Sequence, residues 1–299
     1  MLKRKICIVI LFFTLVWSSF SVFLSRPVSA STSFLMNPKK IYVYNVYDEK
    51  NKNNKTQITA SFVERSKEGD LWHFKENHLL SHKLFLQDKE GLRESDPFYA
   101  GLWQQMIKFP LREGKEWAVN DDERKFKLVS LKTTVKTPVG TFSNCIKVTS
   151  RAGAVYYYAP GAGIVKQRTH LGKIIELTKV KDAPYGRVLI KQDGIKLYDP
   201  KGKVHRSLKK GEGLKVFKET ADLFDVGGGY YVKKSKGTLF YTGFIYSILE
   251  GINMYGPNGK LNKKIADGKT LRVYSFKDGK YQVGGGYYVP MGPYIQYDR

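Results

Sequence analysis

Few side chains in this chain are spaced for chemistry. Of its five histidines, His78 and His82 bracket Leu79-Leu80-Ser81. That i, i+4 interval is how one helix face offers two imidazoles to zinc. A zinc hydrolase also needs a carboxylate beside the first histidine, and Leu79 stands there, with Glu76 on the wrong side. Without that base or a third ligand, the pair reads as solvated histidines and no metal is expected. Cys145 lies in Phe142-Ser143-Asn144-Cys145-Ile146-Lys147-Val148, an apolar strand-like context, and reads as a buried, inert thiol. No G-x-S-x-G elbow offers a serine nucleophile. The densest acidic cluster, Asp121-Asp122-Glu123, reads as a hairpin loop. The triplets Gly227-Gly228-Gly229 and Gly284-Gly285-Gly286 have no following helix pattern and no Lys-Ser/Thr, so they do not read as phosphate loops. No residue is assigned a catalytic role, and no cofactor is expected.

The residues left are aromatic. Tyr230-Tyr231 and Tyr287-Tyr288 follow the two glycine triplets. Paired tyrosines can stack on sugar rings or pack in a core, and strand alternation sends one of each pair each way. These four are the candidate wall- or glycan-binding residues.

They belong to a duplication. Residues 194–232 superpose on 251–289 at a constant offset of 57, with Val-Gly-Gly-Gly-Tyr-Tyr-Val unchanged. Each copy alternates apolar and polar residues with the period of a strand, as in Ile195-Lys196-Leu197-Tyr198 and Leu214-Lys215-Val216-Phe217. Asp199-Pro200-Lys201-Gly202 and Gly256-Pro257-Asn258-Gly259 are hairpin turns. Four or five short strands in each copy make a small barrel. The pattern Y-x-P-x-G-K, then K-G-x-x-L-K-V-F, then V-G-G-G-Y-Y-V resembles the surface-layer-protein attachment modules of Gram-positive bacteria. It is also similar to bacterial Src-homology-3-like wall-binding modules. The resemblance covers 187–299 and implies two tandem barrels, 187–243 and 244–299, that hold a protein on the cell wall.

The charge has the matching sign. The formal net charge is +24, and removing Lys3, Arg4, Lys5 and Arg26 leaves +20. Residues 187–299 hold 21 Lys and Arg against 10 Asp and Glu. Such a field favours polyanions such as teichoic acid.

Residues 37–182 read as one antiparallel β domain. Ile41–Tyr47, Gln57–Val63, Leu71–Phe74, Lys125–Leu131, Asn144–Thr149, Val155–Ala159 and Ile174–Val180 are strand-like. The middle, 88–118, is less regular, and Leu102–Ile107 is expected to form a short helix. FPLREGKEW (109–117), VKTPVGTFSNCIKV (135–148) and YYYAPGAGIVKQ (156–167) resemble a group of uncharacterised secreted and lipid-anchored bacterial domains. That resemblance implies a fold similar to the clam-shaped half-barrels of periplasmic lipoprotein carriers. The fold class expected is therefore mainly β: an antiparallel half-barrel-like sheet with a short helix, then two small Src-homology-3-like barrels.

The N-terminus gives the location. Lys3-Arg4-Lys5 precede the uncharged run Ile6–Leu24, and Val28-Ser29-Ala30 has the small residues of a signal-peptidase site. Residues 1–30 read as a signal peptide; an uncleaved anchor is the alternative, since 19 apolar residues can span a bilayer. No later apolar run is long enough to span. The sequence thus points to a secreted, non-catalytic protein of the cell wall or surface, bound to anionic polymer or glycan and not to nucleic acid. A wall hydrolase with its active site in 37–182, or a regulator of another surface enzyme, are the alternatives. The ligand and the oligomeric state are not fixed by sequence.

Overall fold

The computed structural model describes residues 32–77, 79–98, 102–119, 121–249 and 251–299. The expected leader and His78 lie outside them. Among the described residues the regular elements are strands, and no helix is long and apolar enough to cross a membrane.

Twelve strands make the first sheet. They are β1 (Lys40–Asp48), β2 (Lys55–Ser66), β3 (Gly69–Glu76), β4 (Leu79–Asp88), β5 (Gly91–Ser95) and β6 (Gln104–Lys108). The second arm is β7 (Glu116–Val119), β8 (Asp121–Thr137), β9 (Gly140–Ser150), β10 (Val155–Ala159), β11 (Gly163–Arg168) and β12 (Lys173–Asp182). The order is β6-β5-β4-β3-β2-β1-β12-β11-β10-β9-β8-β7. Two antiparallel meanders are therefore joined where β1 pairs with β12, with Tyr42 opposite Val180. The sheet curls until β6 and β7 lie side by side. Across that seam the Trp117 indole N–H donates to the Gln105 carbonyl at 2.7 Å.

Two expectations are corrected here. Leu102–Ile107 is not a helix, because Gln104–Lys108 is β6, paired antiparallel with β5 through Leu92 and Ile107. Ladder bonds and burial of Met106 and Ile107 decide the backbone, and tertiary pairing outweighs local propensity. The sheet is also more nearly closed than a half-barrel, because β4 to β7 add four strands whose residue pattern carries little strand signal.

Inward-facing residues fill the curled sheet. One cluster joins Phe34, Leu92, Ile107, Trp117, Leu128 and Ile146; another joins Tyr42, Tyr44, Trp72, Phe85, Cys145 and Leu177. In β8 the buried positions are Phe126 and Leu128 at one end and Val135 at the other. Three register shifts against β9 change which residues face inward, as bulges do.

Two further units follow, related residue for residue by the 57-residue offset. The first holds β13 (Gly186–Ile190), β14 (Ile195–Tyr198), β15 (Val204–Leu208), β16 (Gly213–Val216), β17 (Lys218–Glu219), β18 (Leu223–Gly227), β19 (Tyr230–Lys233) and β20 (Thr238–Tyr241). The second holds β21 (Gly243–Ser247), β22 (Ile252–Tyr255), β23 (Leu261–Ile265), β24 (Leu271–Val273), β25 (Ser275–Lys277), β26 (Lys280–Gly284), β27 (Tyr287–Pro290) and β28 (Ile295–Asp298). In the first unit the sheets run β16-β13-β20 and β15-β14-β19-β18-β17; the second repeats this order as β24-β21-β28 and β23-β22-β27-β26-β25. The two sheets of a unit pack through Ile190, Leu197, Leu208 and Val232 in the first. Ile252, Ile265, Val273 and Val289 serve the second.

The second unit is docked on the twelve-stranded sheet. Val63 and Leu71 of that sheet join its apolar core. The Lys75 ammonium donates to the Tyr246 hydroxyl at 3.1 Å. The Arg299 guanidinium donates to the Val63 carbonyl at 2.8 Å and lies over the Phe62 ring.

Candidate functional site

Each five-stranded sheet carries a tyrosine pair on its outer face. In the first unit Tyr198 and Tyr231 sit directly opposite each other on β14 and β19. Their rings stack with centroids 5.1 Å apart and an interplanar angle of 11°. In the second, Tyr255 and Tyr288 stack at 5.7 Å and 19° on β22 and β27. The neighbouring strand residues Leu197, Val232 and Val289 are buried, so period-two alternation puts the stacked rings on the opposite face. All four rings are half-buried, leaving part of each exposed.

A lysine accompanies each pair. The Lys233 ammonium lies 5.0 Å from the Tyr198 ring centroid, and Lys280 lies 4.5 Å from that of Tyr288. The two lysines are not equivalent in the duplication. Lys233 belongs to β19, opposite Leu223, whereas Lys280 belongs to β26, opposite Pro290. Both occupy the same rung of the ladder, from opposite strands, and they cover different members of the pair: Tyr198 on β14 in the first unit, and Tyr288 on β27, the counterpart of Tyr231, in the second. A cation over a tyrosine face is held by the ring quadrupole, and a ring beside a cation suits an anionic or hydroxylated ligand.

The glycine triplets and Pro-x-Gly turns hold these platforms. Gly227, Gly228 and Gly229 take φ of +98°, +63° and +79°, and Gly284 to Gly286 repeat them at +96°, +60° and +79°. A Cβ on Gly229 would stand 3.0 Å from Pro200 Cγ, and one on Gly286 would stand 3.2 Å from Pro257 Cγ. The third glycine of each triplet therefore lets the hairpin turn close on the strand that carries the stacked tyrosine.

Of the four tyrosines marked by the sequence, Tyr231 and Tyr288 are in the platforms. Tyr230 packs against the first unit's core and makes an edge contact with His205, with ring centroids 5.0 Å apart. The Tyr287 ring lies beside Gly285, where an added Cβ would come within 3.3 Å. Tyr198 and Tyr255, with Lys233 and Lys280, were not picked out. The tyrosines are identical between the copies, but only the strand pairing places them under their partners.

His82 is not solvated. It is 3% exposed, and its ring centroid lies 4.4 Å from that of His73, which is 2% exposed. His73 lies against the Tyr297 backbone and His82 against that of Ile295, beneath the docked second unit. Burial drives the His73 pKa well below its ordinary range and holds His82 at about 4. Both rings are therefore neutral near pH 7. Among the described residues no three His, Cys, Asp or Glu side chains are grouped to hold a metal ion.

Among the described residues, the cavity inside the twelve-stranded sheet is lined by one carboxylate, Glu94, whose Oε1 accepts from the Lys83 ammonium at 2.8 Å. Glycan cleavage by paired carboxylates needs a second one across the cleft. Cys145 is fully buried, and burial pushes its thiol up to about 12.

No family model and no curated protein matches the chain. Among solved structures it is similar to the CBD, the cell-wall-binding domain, of the endolysin LysPBC5. The identity is 20% and the TM-score 0.20, over 39% of this chain and 96% of that one.

Proposed function

We propose that this protein attaches to an anionic cell-wall polymer or glycan through the outer faces of its two C-terminal units, without making or breaking bonds. The units correspond to 187–243 and 244–299, and 37–182 is a separate β domain that they hold at the cell surface. One observation carries the reading: the same stacked tyrosine pair with one lysine on one rung occurs on both units. Two equivalent sites on one chain suit a ligand that itself repeats, because the second contact then forms at high effective concentration. Aromatic rings supply contact with sugar faces, and the lysines supply attraction to phosphate or carboxylate. The net charge, +20 once the leader's Lys3, Arg4, Lys5 and Arg26 are removed, reinforces the second component. The signal-peptide reading places the protein where such a polymer is found.

The test is co-sedimentation of the purified protein with bacterial walls, before and after teichoic acid is stripped. Retention should fall on stripped walls and decline with salt, as charge-driven binding does. The double variant Tyr231→Ala/Tyr288→Ala should lower retention about thirtyfold, each of the two stacking contacts being worth ~1 kcal/mol. Equal retention on stripped walls would leave glycan as the ligand. Failure to sediment with either preparation would remove the proposal.

A further inference from the structure

The interior of the twelve-stranded sheet holds a cavity of about 270 Å³. Its wall is mostly apolar, with Met36, Ile58, Phe85, Ile164 and Ile175 among the lining residues. A dry apolar cavity of about 150 Å³ already accepts a benzene ring, so this one has room for a longer apolar body. Cavities of this size are uncommon in close-packed interiors, and leaving one empty costs stability.

One side of the wall is polar. Lys83 and Glu94 line the cavity as an ion pair, and the Lys83 side chain is 38% exposed. Tyr158, on β10, lines it too; it is 1% exposed, and its hydroxyl has no hydrogen-bond partner. Buried hydroxyls are normally paired, so an orphan in a cavity wall marks a donor awaiting an acceptor. Burial, with the nearby Glu94 charge, keeps the Tyr158 phenol protonated well beyond neutral pH. Burial pushes the Lys83 ammonium down, but Glu94 outweighs it and holds the group above its ordinary range. Lys83 therefore stays charged and stays paired.

The third wall is the segment before β1. Phe34, Leu35 and Met36 line the cavity. Gln87 clamps this segment, accepting from the Phe34 N–H at 2.7 Å and donating to the Thr32 carbonyl at 2.9 Å. The Gly161 N–H donates to the Ser33 carbonyl at 2.7 Å.

We infer that this cavity binds an acyl chain capped by an uncharged carbonyl, an ester or an amide. The chain fills the apolar part, and the carbonyl oxygen takes the Tyr158 hydroxyl and a free Lys83 N–H. A free carboxylate is the poorer ligand, because its charge would face Glu94 while Lys83 is already neutralised. The site is distinct from the tyrosine platforms, so wall retention does not report on it.

Calorimetric titration of the full chain with methyl decanoate, N-methyldecanamide, sodium decanoate and decane tests this. Ester and amide should bind, and decanoate should bind more weakly than either. Preference for ester or amide then identifies which acyl source the site suits. Tyr158→Phe should weaken ester and amide about tenfold and leave decane unchanged, the loss of one hydrogen bond. Tyr158→Phe gives up no hydrogen bond within the protein, so its unliganded melting temperature should equal or exceed that of the parent. Ile175→Trp, or the milder Ile164→Phe, should abolish binding of all four by filling the space. Absence of ester and amide binding, tighter binding of decanoate, or affinities untouched by Tyr158→Phe would each overturn the inference.

Discussion

Cys145 shows how burial decides the fate of a reactive side chain. Its thiol is fully enclosed, donates to the Phe142 carbonyl at 3.5 Å and is held protonated. A thiolate is the nucleophilic form, so this cysteine is inert despite its chemistry. Cys145 in the native protein should therefore resist thiol-directed reagents and react only after unfolding in urea. Cys145→Ser should cost about 1–3 kcal/mol in urea titration, since it puts a stronger hydrogen-bonding group in an apolar site. Cys145→Ala should cost less than Cys145→Ser. The strand-like flanks of Cys145 made its burial readable from the sequence. His82 was not readable in the same way. Its burial comes from β28, more than 200 residues along the chain, and no local pattern carries that.

The strands most legible in the sequence were those with strict alternation, such as β1 and β10, and those of the duplicated copies. An alternating strand buries one face, and that requirement writes itself into residue type. The least legible was β6, whose Gln104-Gln105-Met106-Ile107 has helix-forming residues and acquires its extended form from pairing with β5. The tyrosine platforms were half legible. The Tyr-Tyr pairs signalled themselves by repetition, but each stacking partner is supplied by a neighbouring strand. Backbone shape can be tested at the same level. Gly229→Ala should destabilise the first unit by about 1–3 kcal/mol, because φ is positive and Pro200 occupies the space of the new Cβ. Gly228→Ala meets nothing closer than 3.6 Å, so it should suffer the φ cost alone, about 1 kcal/mol. Chemical denaturation followed by tyrosine fluorescence distinguishes the two, and equal losses would show that Pro200 moves aside.

At the scale of the molecule, the two C-terminal units differ in how their cores end. The first stacks Phe224 on Phe240, whereas the second stacks Tyr281 on Tyr297. The Tyr281 hydroxyl and Glu64 Oε2 are both buried without partners, at the junction with the twelve-stranded sheet. Burial, helped by Asp278, raises the Glu64 carboxyl from 4.5 to about 7. Its contribution to stability is therefore complete below about pH 4.5 and lost as pH rises through about 7. His82 works the other way: its contribution is complete above about pH 6.5 and lost as pH falls through about 4. The junction should be firmest in mildly acidic solution. Melting temperature measured against pH should show a decline on each side, with Glu64→Gln removing the alkaline one and the double variant His73→Phe/His82→Phe the acidic one, since burial lowers both imidazoles. A profile unchanged by both substitutions would show that other groups govern the pH response.

The seam between β6 and β7 has its own consequence. A twelve-stranded sheet left open would present two rows of unpaired backbone groups, each a template for a strand from another molecule. Here the two margins shield each other, and the Trp117 indole ties them. A polypeptide this rich in β-strand can thus reach high local density without seeding intermolecular sheets from the margins of its twelve-stranded sheet.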